Sequence, residues 1–148
     1  MDDRAYWPTT EPRTLMTLKK IVIAGGTGHL GQVITRHFAE SATEVVVLSR
    51  SLHANYANIS YKWWDGEHLG PWTSVLDGAD AVINLAGRSV DCRYNEQNKR
   101  EIIDSRTIPT RTIGNAIQAC KTPPKLWINA GSAAIFGDRL ALGIMCHV

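Results

Sequence analysis

Four glycines in the run KIVIAGGTGHLG, Lys20 to Gly31, are the residues whose spacing speaks most directly to chemistry. Gly26, Gly28 and Gly31 fit G-x-G-x-x-G, and Gly25, Gly28 and Gly31 fit G-x-x-G-x-x-G. The β-branched residues Ile21, Val22 and Ile23 precede them. Val33, Ile34, His37 and Phe38 follow at helical spacing. Glycines between a strand and a helix can cradle the pyrophosphate of a dinucleotide. The first allows a tight turn, the second a close backbone approach to phosphate, and the third close packing of helix on strand. The helix start adds unpaired N–H groups and the positive end of its dipole. On this reading Gly25, Gly26, Thr27, Gly28, His29, Leu30 and Gly31 form the phosphate-binding turn. A plain flexible turn is the competing reading, and the correct context on both sides disfavours it.

The other half of such a site lies about 20 residues further on, where an acid holds the ribose of NAD or an Arg accommodates the phosphate of NADP. Here that position reads Ser49-Arg50-Ser51, with no acid. Arg50 can form charge-assisted, bidentate bonds to a phosphate, and Ser49 adds a hydroxyl. NADP is therefore favoured over NAD, although a solvated loop charge would look the same. Asp65 stands where it can accept from an adenine amino group or cap a local turn with Gly66.

To hold these residues, strands are expected at Ile21–Ile23, Glu44–Ser49, Ser60–Trp63, Ala81–Leu85 and Lys125–Ala130. Helices are expected at about His29–Glu40, Pro71–Leu76 and Asn95–Cys120. Pro109 is expected to kink the last of these or to begin a second segment. Alternation of strands and helices predicts a parallel sheet. Right-handed crossovers make it a doubly wound, three-layer αβα Rossmann sheet of about five strands in the order 3-2-1-4-5.

The chain has 148 residues, a length suited to one domain. Its net charge of +2 with scattered Lys and Arg speaks against nucleic acid or a membrane surface as partner. Cys92, Cys120 and Cys146 are widely spaced, which argues against a disulfide framework or zinc site and suits a reducing cytoplasm. No run is apolar enough to span a membrane, and the polar start, with Pro8 and Pro12, does not resemble a signal peptide. Residues 1–18 read as a disordered extension, with Met16 as an alternative start, and 19–148 as the nucleotide-binding domain.

AGGTGHLG, NLAG (Asn84–Gly87) and AGSAAIFGD (Ala130–Asp138) together resemble the extended short-chain dehydrogenase/reductase superfamily. NLAGRSVDCRYNEQNKREIIDSRT followed by PP-x-LWINAGSA is similar, more narrowly, to NAD(P)-dependent epimerase/dehydratase-like "epimerase family" proteins. The resemblance covers about Lys19 to Asp138. It implies that Leu85, Ala86 and Gly87 line the adenosine and ribose side of the cofactor. It also implies that Ser132 hydrogen-bonds the reacting substrate oxygen, which suits its place at the carboxyl end of a strand. Arg106 lies near a helix position that is Asn in many relatives. Arg88 and Arg93 follow the NLAG loop and can face phosphate, though such charges are commonly solvated. The family implies a small-molecule substrate and homodimers built through helices beside the fourth strand.

The chain departs from the superfamily in one chemical respect. No Tyr-x-x-x-Lys pair follows Ser132, and Tyr94 has Asn98 at the Lys spacing. That pair supplies a proton donor tuned toward neutrality. The last parallel strand and the substrate domain of the superfamily are also expected to be missing. Three readings follow. The chain is the cofactor half of an epimerase, dehydratase or reductase; a non-catalytic, redox-sensing dinucleotide module; or an inactive fragment. His29, His37, His53, His68 and His147 lack metal-ligand spacing, and Ser132 lacks the G-x-S-x-G elbow of a hydrolase.

Overall fold

The computed structural model describes residues 18–93 and 95–131. Five parallel strands form one sheet in the order β3-β2-β1-β4-β5. They are β1 (Leu18–Ala24), β2 (Ala42–Ser49), β3 (Ile59–Trp63), β4 (Ala81–Asn84) and β5 (Leu126–Asn129). The expected order is the observed one. The buried middles of β1 and β2 are rich in β-branched residues because both faces are covered. Ile21 to Ala24 and Val45 to Leu48 have essentially no exposed surface.

Helix α1 (His29–Ala39) covers one face through Ile34 and Phe38, packed on Ile21, Ile23, Val45, Val47 and Ile83. Helix α2 (Glu96–Gln118) and a short 3-10 helix (Pro71–Leu76) cover the other. There Ile113, Ala116, Trp72 and Leu76 meet Val22, Val46, Leu48 and Val82. The result is three layers.

Helix α2 runs through Pro109 as one element, so Pro109 begins no second segment. Proline removes one helical hydrogen bond. Here Pro109, Thr112, Ile113 and Ala116 are the buried residues of the helix, and burial of that stripe offsets the missing bond. Among the described residues β5 forms the sheet edge, and Leu126, Trp127 and Ile128 are all substantially exposed. Trp127 nevertheless lies against α2, its ring 3.3 Å from where a Cβ on Gly114 would stand.

Candidate functional site

The carboxyl ends of β1, β2 and β4 meet at the glycine turn. Gly25 leaves β1 with φ +77°, a left-handed conformation that favours glycine. Its N–H donates to Leu48 of β2 (3.1 Å), while a Cβ on it would come 3.1 Å from the Ala86 nitrogen. Gly28 caps α1 with extended backbone and no side-chain cap, and no acid stands in the first turn. The first-turn N–H groups of α1 are thus left for solvent or an anion. Gly31 packs the helix onto the turn: a Cβ there would lie 2.6 Å from the Gly26 Cα. Gly25, Gly28 and Gly31 therefore do separate jobs in the seven-residue frame. Gly26 is packed as well, with Val47 and Thr35 where its Cβ would go. Thr27 accepts a hydrogen bond from Gln32 Nε2 through its carbonyl (3.0 Å), and His29 and Leu30 are exposed.

Ser49 is buried at the end of β2, and its hydroxyl accepts from the Ser51 N–H (3.1 Å). Arg50 is exposed beside it, and no carboxylate among the described residues pairs with it. Leu85, Ala86 and Gly87 leave β4 directly over Gly25. The Leu85 N–H donates to Ala24 of β1 (2.9 Å), and the Ala86 N–H donates to Asn84 Oδ1 (3.1 Å). Asn84 is itself buried, and its amide nitrogen donates to Asn129 Oδ1 (2.9 Å) and Thr110 Oγ1 (3.2 Å). The sequence named Asn84 only as part of a motif. Its side chain links β4, β5, α2 and the start of the loop after β4.

Asp65 follows β3 and is already engaged. Its Oδ1 accepts from the Glu67 N–H (2.8 Å) and the His68 N–H (2.9 Å), and its Oδ2 meets His68 Nδ1 (2.7 Å). The backbone donors of His68 and then Glu67 hold its carboxyl down at about 2. The same turn is fixed from outside, since Thr112 Oγ1 of α2 donates to the Glu67 carbonyl (2.9 Å) and Trp72 Nε1 donates to the His68 carbonyl (3.0 Å). Ser132 lies outside the described residues.

A cleft of about 680 Å³ runs beside α1, lined by Thr27, Thr35, Arg36, His53 and Tyr61 among others. It opens because the β2–β3 connection carries no helix to cover that face. Sequence patterning points to no such cleft, since it arises from what an element lacks.

A parallel doubly wound sheet, with an uncapped helix start and a glycine turn at its carboxyl end, defines a Rossmann-type dinucleotide-binding domain. The chain belongs to the NAD dependent epimerase/dehydratase family, whose model matches residues 21–143. It is 36% identical over 121 residues to the epimerase family protein YfhF of Bacillus subtilis, spanning 81% of this chain and 40% of that protein. It is 30% identical over 124 residues to the human epimerase family protein SDR39U1, spanning 82% of this chain and 39% of the human one. The crystal structure of human SDR39U1 (isoform 2) with NADPH superposes with a TM-score of 0.63 at 28% identity, over 78% of this chain and 37% of that one. Uronate dehydrogenase from Agrobacterium tumefaciens shares the fold, with a TM-score of 0.63 at 22% identity over 79% of this chain and 42% of that one. No helix among the described residues is long and apolar enough to cross a membrane.

Proposed function

We propose that this chain is the NADP(H)-binding half of an epimerase, dehydratase or reductase-type enzyme acting on a small-molecule substrate. The observation that carries the reading is the pairing of two open positive features at one end of the sheet. The first is the uncapped, acid-free start of α1 behind Gly25–Gly28, and the second is the exposed Arg50 at the end of β2. The glycine turn and helix start would take the pyrophosphate. Arg50 and Ser49 would take the 2′-phosphate, where an acid would instead bind the ribose hydroxyl of NAD. Leu85, Ala86 and Gly87, held over Gly25, would line the adenosine and ribose. Asp65 would face the adenine from its turn. The NADPH held by the human relative accords with this choice of cofactor. Ser132 is assigned the substrate oxygen, and a cytoplasmic setting accords with Cys92 and Cys120 both being free thiols.

A second reading is a dinucleotide-binding module that senses redox state without turning its cofactor over. Fluorescence titration of the chain with NADPH and NADH in parallel tests the main proposal. Saturable binding that prefers NADPH is the expected result, and equal binding of the two would remove Arg50 from its role. Oxidation of bound NADPH by added carbonyl substrates would argue against the sensing module.

A further inference from the structure

Arg88, the residue after the NLAG loop, is gripped by α2 at four points. Its backbone N–H donates to Ser105 Oγ (2.9 Å), and its carbonyl accepts from Arg106 Nη2 (3.1 Å). Its guanidinium pairs with Glu101 and donates to Asn98 Oδ1 (3.3 Å). Asn98, Glu101 and Ser105 follow at intervals of three and four, so they share one face of the helix. Arg106 stands beside that stripe. Its Nη1 donates to the Ile102 carbonyl (2.9 Å), and its side chain lies 3.4 Å from where a Cβ on Gly87 would be. On the other side of the same loop, Gly25 allows Leu85 and Ala86 to approach to about 3.1 Å from the place its own Cβ would take. The loop is therefore clamped between the glycine turn and α2.

We infer that Arg88 is a positioning residue: the α2 stripe Asn98, Glu101 and Ser105, with Arg106, holds it so that Leu85–Gly87 keep a fixed clearance over the glycine turn. Its effect on cofactor binding rests on the dinucleotide reading above. The geometry speaks against the alternative that Arg88 is a phosphate ligand. The carboxylate of Glu101 beside the guanidinium offsets the charge a phosphate would need, and Asn98 takes a further donor. In the sequence Arg88 reads as a phosphate-facing or a solvated charge, because its partners lie ten or more residues along the chain.

The test compares amide hydrogen exchange and NADPH titration in the parent chain, Arg88→Ala, Ser105→Ala and Arg88→Lys. Exchange through residues 86–90 is expected to rise in both alanine variants by roughly tenfold, the scale of one or two lost hydrogen bonds. The amides of β1 and β4 stay unchanged. NADPH affinity falls roughly three- to tenfold in both alanine variants, and Arg88→Lys, which keeps the pair with Glu101, recovers most of it. Unchanged exchange in Arg88→Ala overturns the inference. So does an affinity loss in Arg88→Ala with Ser105→Ala normal, which would make Arg88 a direct ligand. If the parent binds neither nucleotide, the dinucleotide reading fails, and the exchange comparison decides by itself whether the clamp exists.

Discussion

The two ends of the sheet are built differently. At the amino end, polar groups are used up in tying strands together. Asp80 accepts from the Lys19 N–H (2.6 Å), the Lys20 N–H (3.1 Å) and Lys125 Nζ (2.7 Å), which joins β1, β4 and the approach to β5. Lys20 Nζ donates to the Asp77 carbonyl (2.7 Å), and the Thr122 N–H donates to Asp77 Oδ1 (2.6 Å). Asn58 Nδ2 donates to the carbonyls of Ala39 (3.0 Å) and Ala42 (2.9 Å), which joins β3 to α1 and β2. At the carboxyl end, backbone donors and Arg50 are left open, and the bonds that do form hold loops in place. Stability and binding are thus assigned to opposite ends of the same strands. In a parallel sheet this is possible because every strand points the same way, so all the loops of one kind gather at one end.

The variant with the largest expected effect attacks the open end at its tightest contact. Gly31→Ala places a methyl group against Gly26, and the overpacking is expected to cost about 3 kcal/mol. Thermal unfolding should show that loss, and nucleotide titration should show loss of binding. A variant of normal stability and affinity would mean that α1 can shift away from the turn. Next, Arg50→Ala should weaken NADPH binding by roughly 10- to 100-fold, the value of a charge-assisted bond, with NADH binding and thermal stability unchanged. A fall in stability instead would erase the division between the ends.

Asp80→Asn probes the closed end. Lys125 and the N–H groups of Lys19 and Lys20 hold the Asp80 carboxyl down at about 2, against an ordinary 3.8. The folded-state value is lowered, so its stabilisation is present above the ordinary value and is lost as pH falls from about 4 toward 2. Acid unfolding followed by circular dichroism should therefore be shallower across that window in Asp80→Asn. Nucleotide affinity at pH 7 should be unchanged. The smallest effect, and one of opposite sign, is expected at Thr35. Its hydroxyl is buried without a hydrogen-bond partner among the described residues. Thr35→Val should raise stability by about 1 kcal/mol, because an unsatisfied polar group is removed at nearly constant volume. No gain in thermal stability would show that the hydroxyl is bonded in solution.

Some of this was legible in the sequence because its causes are local. The runs Ile21–Ile23 and Val45–Val47 read as strands, and strand order followed from alternation and crossover hand. The glycine spacing announced the turn before any contact was known, since a positive φ at Gly25 and the absence of a Cβ at Gly31 are properties of the residues themselves. Pro109 reads as a kink or as the start of a second segment because its local cost is visible in the sequence; the buried stripe that keeps α2 one element through it is not. Asp65 read equally as a cap or as an adenine partner. Three short hydrogen bonds show how its turn is built, and they depend on how the chain folds after β3.

By itself, then, the sequence determined the parallel sheet, its order and the place of the glycine turn, all of which follow from periodicity and from residues with unusual backbone freedom. Only the tertiary structure decided which polar groups are consumed and which remain open. Asp80 meets Lys19 across 61 positions, Asn84 meets Asn129 across 45, and Arg88 meets its helical partners across 10 to 18. A side chain's role is set by the partner that reaches it, and partners so far apart along the chain are brought together by the packing of the sheet and helices.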